Sequence, residues 1–187
     1  AHKIKEIRAI LGDFFDIVSL REAGVESDPE ETGKTFEENA RIKAVAGMKA
    51  SGMPCIADDS GLEVLSLDCR PGVMSARYSG SHGDDAANNE KLLAELADKP
   101  DRSARYVCVI CMAFPDGREL EARGECYGEI LKEKRGNGGF GYDPLFYFPQ
   151  FGKTFAEISA EEKNEVSHRN AALKAFEKLW EKEINDK

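Results

Sequence analysis

The chain has 187 residues, 41% of them hydrophobic and 33% charged, with a formal net charge of −9 at pH 7. That length can bury one substantial core, with room for a small second lobe. The acidic balance disfavours a nucleic-acid polymer as partner, since such polymers reward basic surfaces. No apolar run approaches the roughly 20 residues of a membrane span, and the opening stretch AHKIKEIRAIL is amphipathic rather than a secretory signal.

The elements follow in chain order. Ile4, Ile7 and Leu11 recur at helical spacing over residues 3–11, and Gly12 is a stop signal. FFDIVSL (14–20) reads as a short strand, and SDPEETGKT (27–35) as a polar loop. Thr35 with Glu38 has the spacing of a capping box and opens a helix over about 36–50 that ends at Ser51-Gly52. Residues 55–65 are the next strand, 69–85 are loop-rich, and 88–100 form a helix halted by Pro100. SARYVCVICMAF and RELEARGECYGEILKEKR flank Pro115-Asp116-Gly117 as a β-hairpin, and DPLFYF is one more strand. Ser159 and Glu162 repeat the capping-box spacing. A last helix over 168–184 presents Ala172, Leu173, Phe176, Leu179 and Trp180 as one core-facing stripe. The mixture predicts an α/β fold with a mixed sheet. The odd count of five scattered cysteines points to reduced thiols and a cytoplasmic home. Cys108 and Cys111 lie three apart on a strand and so face opposite ways, which argues against a redox or zinc pair.

Four stretches could carry chemistry. In IADDSGLEV (56–64), alternation puts Asp58 and Asp59 on opposite faces, so they need not share a job. The competing reading is a simple Asx-turn at a strand end. RGNGGFGYDPLF (135–146) matches a dinucleotide glycine pattern in letters, but Pro144 pushes Asp143 away from helical angles, so the βαβ context fails. A glycine-dense loop followed by an aromatic and an acid still suits close approach to a base. AEEKNEVSHR places Lys163, His168 and Arg169 near the start of the last helix, where anions are favoured. PEETGKTFEENARIKA offers Glu30, Glu31, Glu37 and Glu38, hard oxygen ligands that with Asp59 suit Mg²⁺, while Asn39 and Lys43 share a helical face. The three histidines, at 2, 82 and 168, form no zinc cluster.

Taken in order, HKIKEI, EETGKTFEENARIKA, IADDSGLEV, RPGVMSARYSG, GGFGYDPLF, KTFAE and EKNEVSHR resemble the inosine triphosphate pyrophosphatase family, over nearly the whole chain. The resemblance implies a single nucleoside triphosphate pyrophosphatase domain over 1–187. It also implies an elongated mixed β-sheet flanked by helices, two lobes with a central cleft, and usually a homodimer. The implied activity is Mg²⁺-dependent hydrolysis of ITP, dITP or XTP to the monophosphate and pyrophosphate. Asp59 matches the general base, Ser60 a substrate contact, and Glu31, with Glu38 as a second acidic position, the metal-associated residues. Lys3 and Lys43 match phosphate-binding lysines. Phe140, Gly141, Tyr142, Asp143, Lys163, His168 and Arg169 match the residues around the purine. The family's first strand and Ser/Thr-Gly-Asn loop, expected before HK, are not in the sequence, and Cys69 stands where the family commonly has glycine. A hydrolase of pyrimidine or modified nucleotides, and a nucleotide-binding module without turnover, are the alternative readings.

Overall fold

The computed structural model describes residues 2–185, with side chains from Ile4 onward. Its elements run α1 (His2–Leu11), α2 (Phe36–Ser51), β1 (Cys55–Val64), β2 (Arg70–Pro71), α3 (Asp85–Glu95), β3 (Ser103–Ala113), β4 (Glu119–Ile130), β5 (Phe146–Phe148), β6 (Lys153–Thr154), α4 (Ala160–Val166) and α5 (His168–Asn185). Six strands bond in the order β2-β1-β3-β4-β5-β6, the α/β class expected from the sequence. The β1–β2, β4–β5 and β5–β6 pairs are antiparallel. No helix among the described residues is long and apolar enough to cross a membrane.

The chain divides into two compact units, Ala1–Asp59 with Cys108–Gly124 and Arg169–Lys187, and Ser60–Val107 with Glu125–His168. Strands β1, β3 and β4 each give residues to both. The core of the first unit gathers Leu11 from α1, Cys108, Ile110 and Met112 from β3, and Ala172, Leu173 and Phe176 from α5. Trp180 packs beside it, 4.7 Å from the Phe15 ring and 6.0 Å from Phe114. Leu179, expected in the same stripe, is 40% exposed, because it falls at the edge of the apolar face.

Helix α2 begins where its sequence says it must. Thr35 Oγ1 accepts the Glu38 N–H at 3.1 Å, and the Glu38 carboxylate accepts the Thr35 N–H at 3.3 Å and that of Lys34 at 2.5 Å. Gly52 ends it at φ 71°, its N–H bonded to the Met48 carbonyl.

Residues 14–20, expected as a strand, form none. A strand needs a neighbour for its polar backbone, and these groups go elsewhere. The Ile17 carbonyl accepts from Arg8 Nε at 2.8 Å, and the Ser19 N–H donates to Glu22 at 2.8 Å, leading into a local turn.

In the second unit, Leu62, Leu92, Leu96, Leu145 and the rings of Tyr106, Phe146 and Phe155 form the core. Tyr106 lies 4.6 Å from Phe146, which lies 4.9 Å from Phe155. Helix α3 starts three residues earlier than its apolar pattern indicates, because Asp84 caps it by accepting the Ala87 N–H at 3.0 Å. It also stops at Glu95, well before Pro100. Strand β5 is only three residues long, since the chain turns through 142–145 with the Leu145 N–H on the Tyr142 carbonyl. The two-residue strands β2 and β6 carry no periodicity a sequence could show. Cys108 and Cys111 are both buried, and neither is in a disulfide.

Candidate active site

Alternation along β1 sends the two aspartates to different partners. Asp59, 8% exposed, accepts from Lys43 Nζ at 2.7 Å, and the same ammonium lies 3.3 Å from Glu31. Asp58 instead faces Arg169, at 3.4 Å, and Arg169 also pairs with Glu6 at 3.3 Å. Lys43 is fixed by the packed α2 helix, while Glu31 sits on the 27–35 loop. That loop is tied down by Asn39, one turn before Lys43: its Oδ1 accepts the Gly33 N–H at 2.8 Å. A Cβ at Gly33 would meet Asn39 Oδ1 at 2.5 Å, so the close approach requires glycine. The Asn39 Nδ2 is buried with no hydrogen-bond partner and approaches Asp59 without completing a bond.

The charges in this cluster do not balance. Burial raises the Asp59 carboxyl above its ordinary range, the Lys43 bond and charge oppose that, and the neighbouring Glu31 adds to it. Burial lowers Lys43, but Asp59, Glu31 and Asp58 together outweigh it and hold the ammonium on. One lysine thus pairs with two carboxylates, Asp59 and Glu31, and the surplus is negative. Lys43 and Glu31 also line a cavity of ≈ 690 Å³ walled by Ile4, Ile7, Phe15, Ile17 and Ile56.

The second unit holds a separate cluster. Asp143, 1% exposed, forms an ion pair with Lys163, accepts from the Tyr106 hydroxyl at 3.2 Å, and accepts the Phe140 N–H at 3.0 Å. The Lys163 ammonium stands 4.3 Å over the centre of the Phe140 ring, which is itself 69% exposed. His168, buried at the start of α5, stacks on Tyr106 at 4.9 Å and 16°. Gly139 has φ +71°, and a Cβ there would meet the Asp143 carboxylate at 2.2 Å, so the loop can wrap that acid only with glycine at this turn.

The structure therefore groups Asp59, Lys43 and Glu31 in one unit, and Phe140, Gly141, Asp143, Lys163 and His168 in the other. Arg169 lies in the first unit with Asp58. Ser60 follows Asp59 on β1 and is half-buried. Two residues expected at the site have other work. The Glu38 carboxylate is engaged by the cap of α2, and Tyr142 is buried in the core with its hydroxyl donating to the Ser75 carbonyl at 2.9 Å. The Lys3 side chain lies outside the described residues. Sequence reasoning missed Asp85 and Asn89 of α3, which bond to Gly141 across more than 50 residues of chain, and no local pattern could have found that contact. Asn39 was visible as a helical neighbour of Lys43, but its hold on the loop was not.

A model of the Ham1 family matches residues 1–179. The dITP/XTP pyrophosphatase of Desulfotalea psychrophila is 57% identical over 173 residues, covering 92% of this chain and 78% of that protein. The dITP/XTP pyrophosphatase of Clostridium perfringens is 51% identical over 182 residues, covering 92% and 89%. Among solved structures, the Staphylococcus aureus Ham1 protein aligns at a TM-score of 0.89 with 45% identity, covering 97% of this chain and 94% of that one. The HAM1 protein of Coxiella burnetii aligns at 0.89 with 42% identity over the same shares. Identity of this order across nearly the full length leaves one assignment: the chain belongs to the Ham1 family.

Proposed function

We propose that the chain hydrolyses non-standard purine nucleoside triphosphates (ITP, dITP and XTP) to the monophosphate and pyrophosphate, clearing them from the cytoplasmic nucleotide pool. The observation that carries this is the buried Asp59 carboxylate bonded to Lys43 beside Glu31. Relatives named dITP/XTP pyrophosphatase at 57% and 51% identity support the substrate class. The five free cysteines accord with a reducing compartment, and the resemblance alone supports a homodimer.

The first cluster fits a divalent cation. Its donors are hard oxygens, and its negative surplus is the one noted for Asp59. Among the described residues no three His, Cys, Asp or Glu side chains are grouped as a cage. Mg²⁺ keeps several waters and takes substrate phosphates as ligands, so it does not need such a cage. Asp59 and Glu31 would hold it, and bound Mg²⁺ would disperse charge on the leaving pyrophosphate. Asp59 orients a water and takes its proton as the water oxygen bonds to the α-phosphorus. The bond from that phosphorus to the α–β bridging oxygen then breaks, and pyrophosphate leaves. Lys43 holds phosphate oxygens in place, because positioning supplies most of the catalysis in phosphoryl transfer.

The second cluster reads the base. The exposed Phe140 ring offers a stacking face, and Lys163 and His168 offer donors. A 6-keto purine presents an acceptor to them, whereas adenine presents an amino donor, and such a mismatch is worth several powers of ten in rate. The test incubates the protein with MgCl₂ and ITP, dITP, XTP or ATP, and separates products by ion exchange. Monophosphate and pyrophosphate from the first three, with ATP nearly untouched, is the expected result. Diphosphate plus phosphate, cleavage of all four alike, or binding without product would each overturn the reading.

A further inference from the structure

We propose that Asp85 and Asn89 act as positioning residues that lock the base-reading loop by holding both polar backbone groups of Gly141; this rests on the reading of the second cluster as the base site. The Gly141 N–H donates to Asp85 Oδ2 at 2.7 Å, and its carbonyl accepts from Asn89 Nδ2 at 2.8 Å. The two side chains are one turn apart on α3, so they reach the same peptide region from one helical face. Asn89 is 2% exposed, and its amide also donates to the Asp85 carbonyl at 2.6 Å, which fixes the orientation of the pair.

Gly141 needs this hold. Its φ of +60° is one of three positive values in the loop, with Gly136 at +82° and Gly139 at +71°. A loop with that much glycine loses more conformational freedom on ordering than any ordinary segment. Phe140 precedes Gly141 directly, and Asp143, two residues on, anchors Lys163. Without the clamp, the ring under the Lys163 ammonium and the acid that aims that ammonium would no longer share one fixed arrangement. The clamp reaches the loop from helix α3, through two side chains bonded to the Gly141 backbone. Its effect is therefore on how well the base is held, with the chemistry at Asp59 left alone.

The full-length protein carrying Asp85→Ala, Asp85→Asn, Asn89→Ala or Phe140→Ala is assayed with dITP, and amide exchange is followed in the segment containing Gly141. Loss of one such bond raises KM about tenfold with kcat nearly unchanged. Asp85→Ala and Asn89→Ala should show this, with faster exchange at Gly141. Asp85→Asn, which keeps an acceptor oxygen, should restore both values. Because Asp85 is exposed, its variants keep the question open to measurement even if Asn89→Ala fails to fold. Faster exchange with unchanged KM overturns the positioning role. Failure of Asp85→Asn to rescue overturns the acceptor geometry in favour of charge alone. Phe140→Ala separates the two readings: if it raises KM while the α3 variants do not, the clamp falls and the base site stands. If it changes nothing, the base site falls and takes the clamp with it.

Discussion

Asp59 differs from its neighbour Asp58 in what it is asked to neutralise. Asp58 faces a guanidinium that is always charged, whereas Asp59 is buried against an ammonium already shared with Glu31. Replacing Asp59 with Asn, which keeps shape and removes the proton acceptor, should lower kcat by about 10² to 10⁴ and leave the fold intact. The check is steady-state kinetics beside a far-ultraviolet circular dichroism spectrum. In the metal-free protein, burial makes the Asp59 carboxyl take up its proton at a higher pH than an ordinary aspartate. Glu31→Gln removes a neighbouring negative charge, so without Mg²⁺ the Asp59 carboxyl should titrate at a lower pH, a shift that carboxyl NMR reads directly. Lys43 works the other way: its folded value is raised, so its contribution to stability is present throughout the neutral range and is lost only as pH climbs past the ordinary lysine value of 10.5. Arg169→Ala should cost stability, by removing the cation that the part-buried Asp58 and Glu6 share. An unchanged unfolding midpoint would reject this. At this scale the divergence of the aspartates was legible, because a period of two is a property of any strand. The partners were not, because Lys43 meets Asp59 only once α2 has packed on β1.

Elements defined by short-range chemistry match their sequence signals closely. Both capping boxes form, at Thr35–Glu38 and at Ser159–Glu162, since every atom they need lies within four residues. Thr35→Ala should lower stability by about 1 kcal/mol, which in a chain of this size is a fall in Tm of roughly 2–4 °C. A calorimetric scan decides it. The 14–20 stretch shows the opposite limit: its β-branched and aromatic residues suit a strand, but no neighbour pairs with it, and local hydrogen bonds take over. Between these extremes lies the turn after β1. Asp68 and Cys69 both hold positive φ, 53° and 62°, a region that is strained for residues with a Cβ. Cys69→Gly should raise stability by about 0.5–1 kcal/mol, the relief of strain exceeding the added freedom of the unfolded chain. An unchanged or lower unfolding midpoint in urea would show that the cysteine side chain contributes packing instead.

On the scale of the molecule, the α/β class, the helices and, through the family resemblance, a division into two lobes were readable, but the points where the chain passes from one unit to the other were not. The units interleave along the chain, changing after Asp59, Val107, Gly124 and His168, and no linker composition marks any of these points. Strands β1, β3 and β4 run unbroken from one unit to the other, so local melting of either unit severs elements of both. The expected consequence is a single cooperative transition. It can be followed with unusual economy, because the chain has one tryptophan and its indole sits against the core of the first unit beside Phe15. Indole emission is therefore a lamp in one room: it reports the packing of α1 and α5 and is dark to the loop around Phe140. Tyrosine absorbance from Tyr106 and Tyr142, both buried in the second unit, lights the other. Two colours recorded in one denaturation would show directly whether the halves that carry the carboxylates and the base-reading loop come apart together.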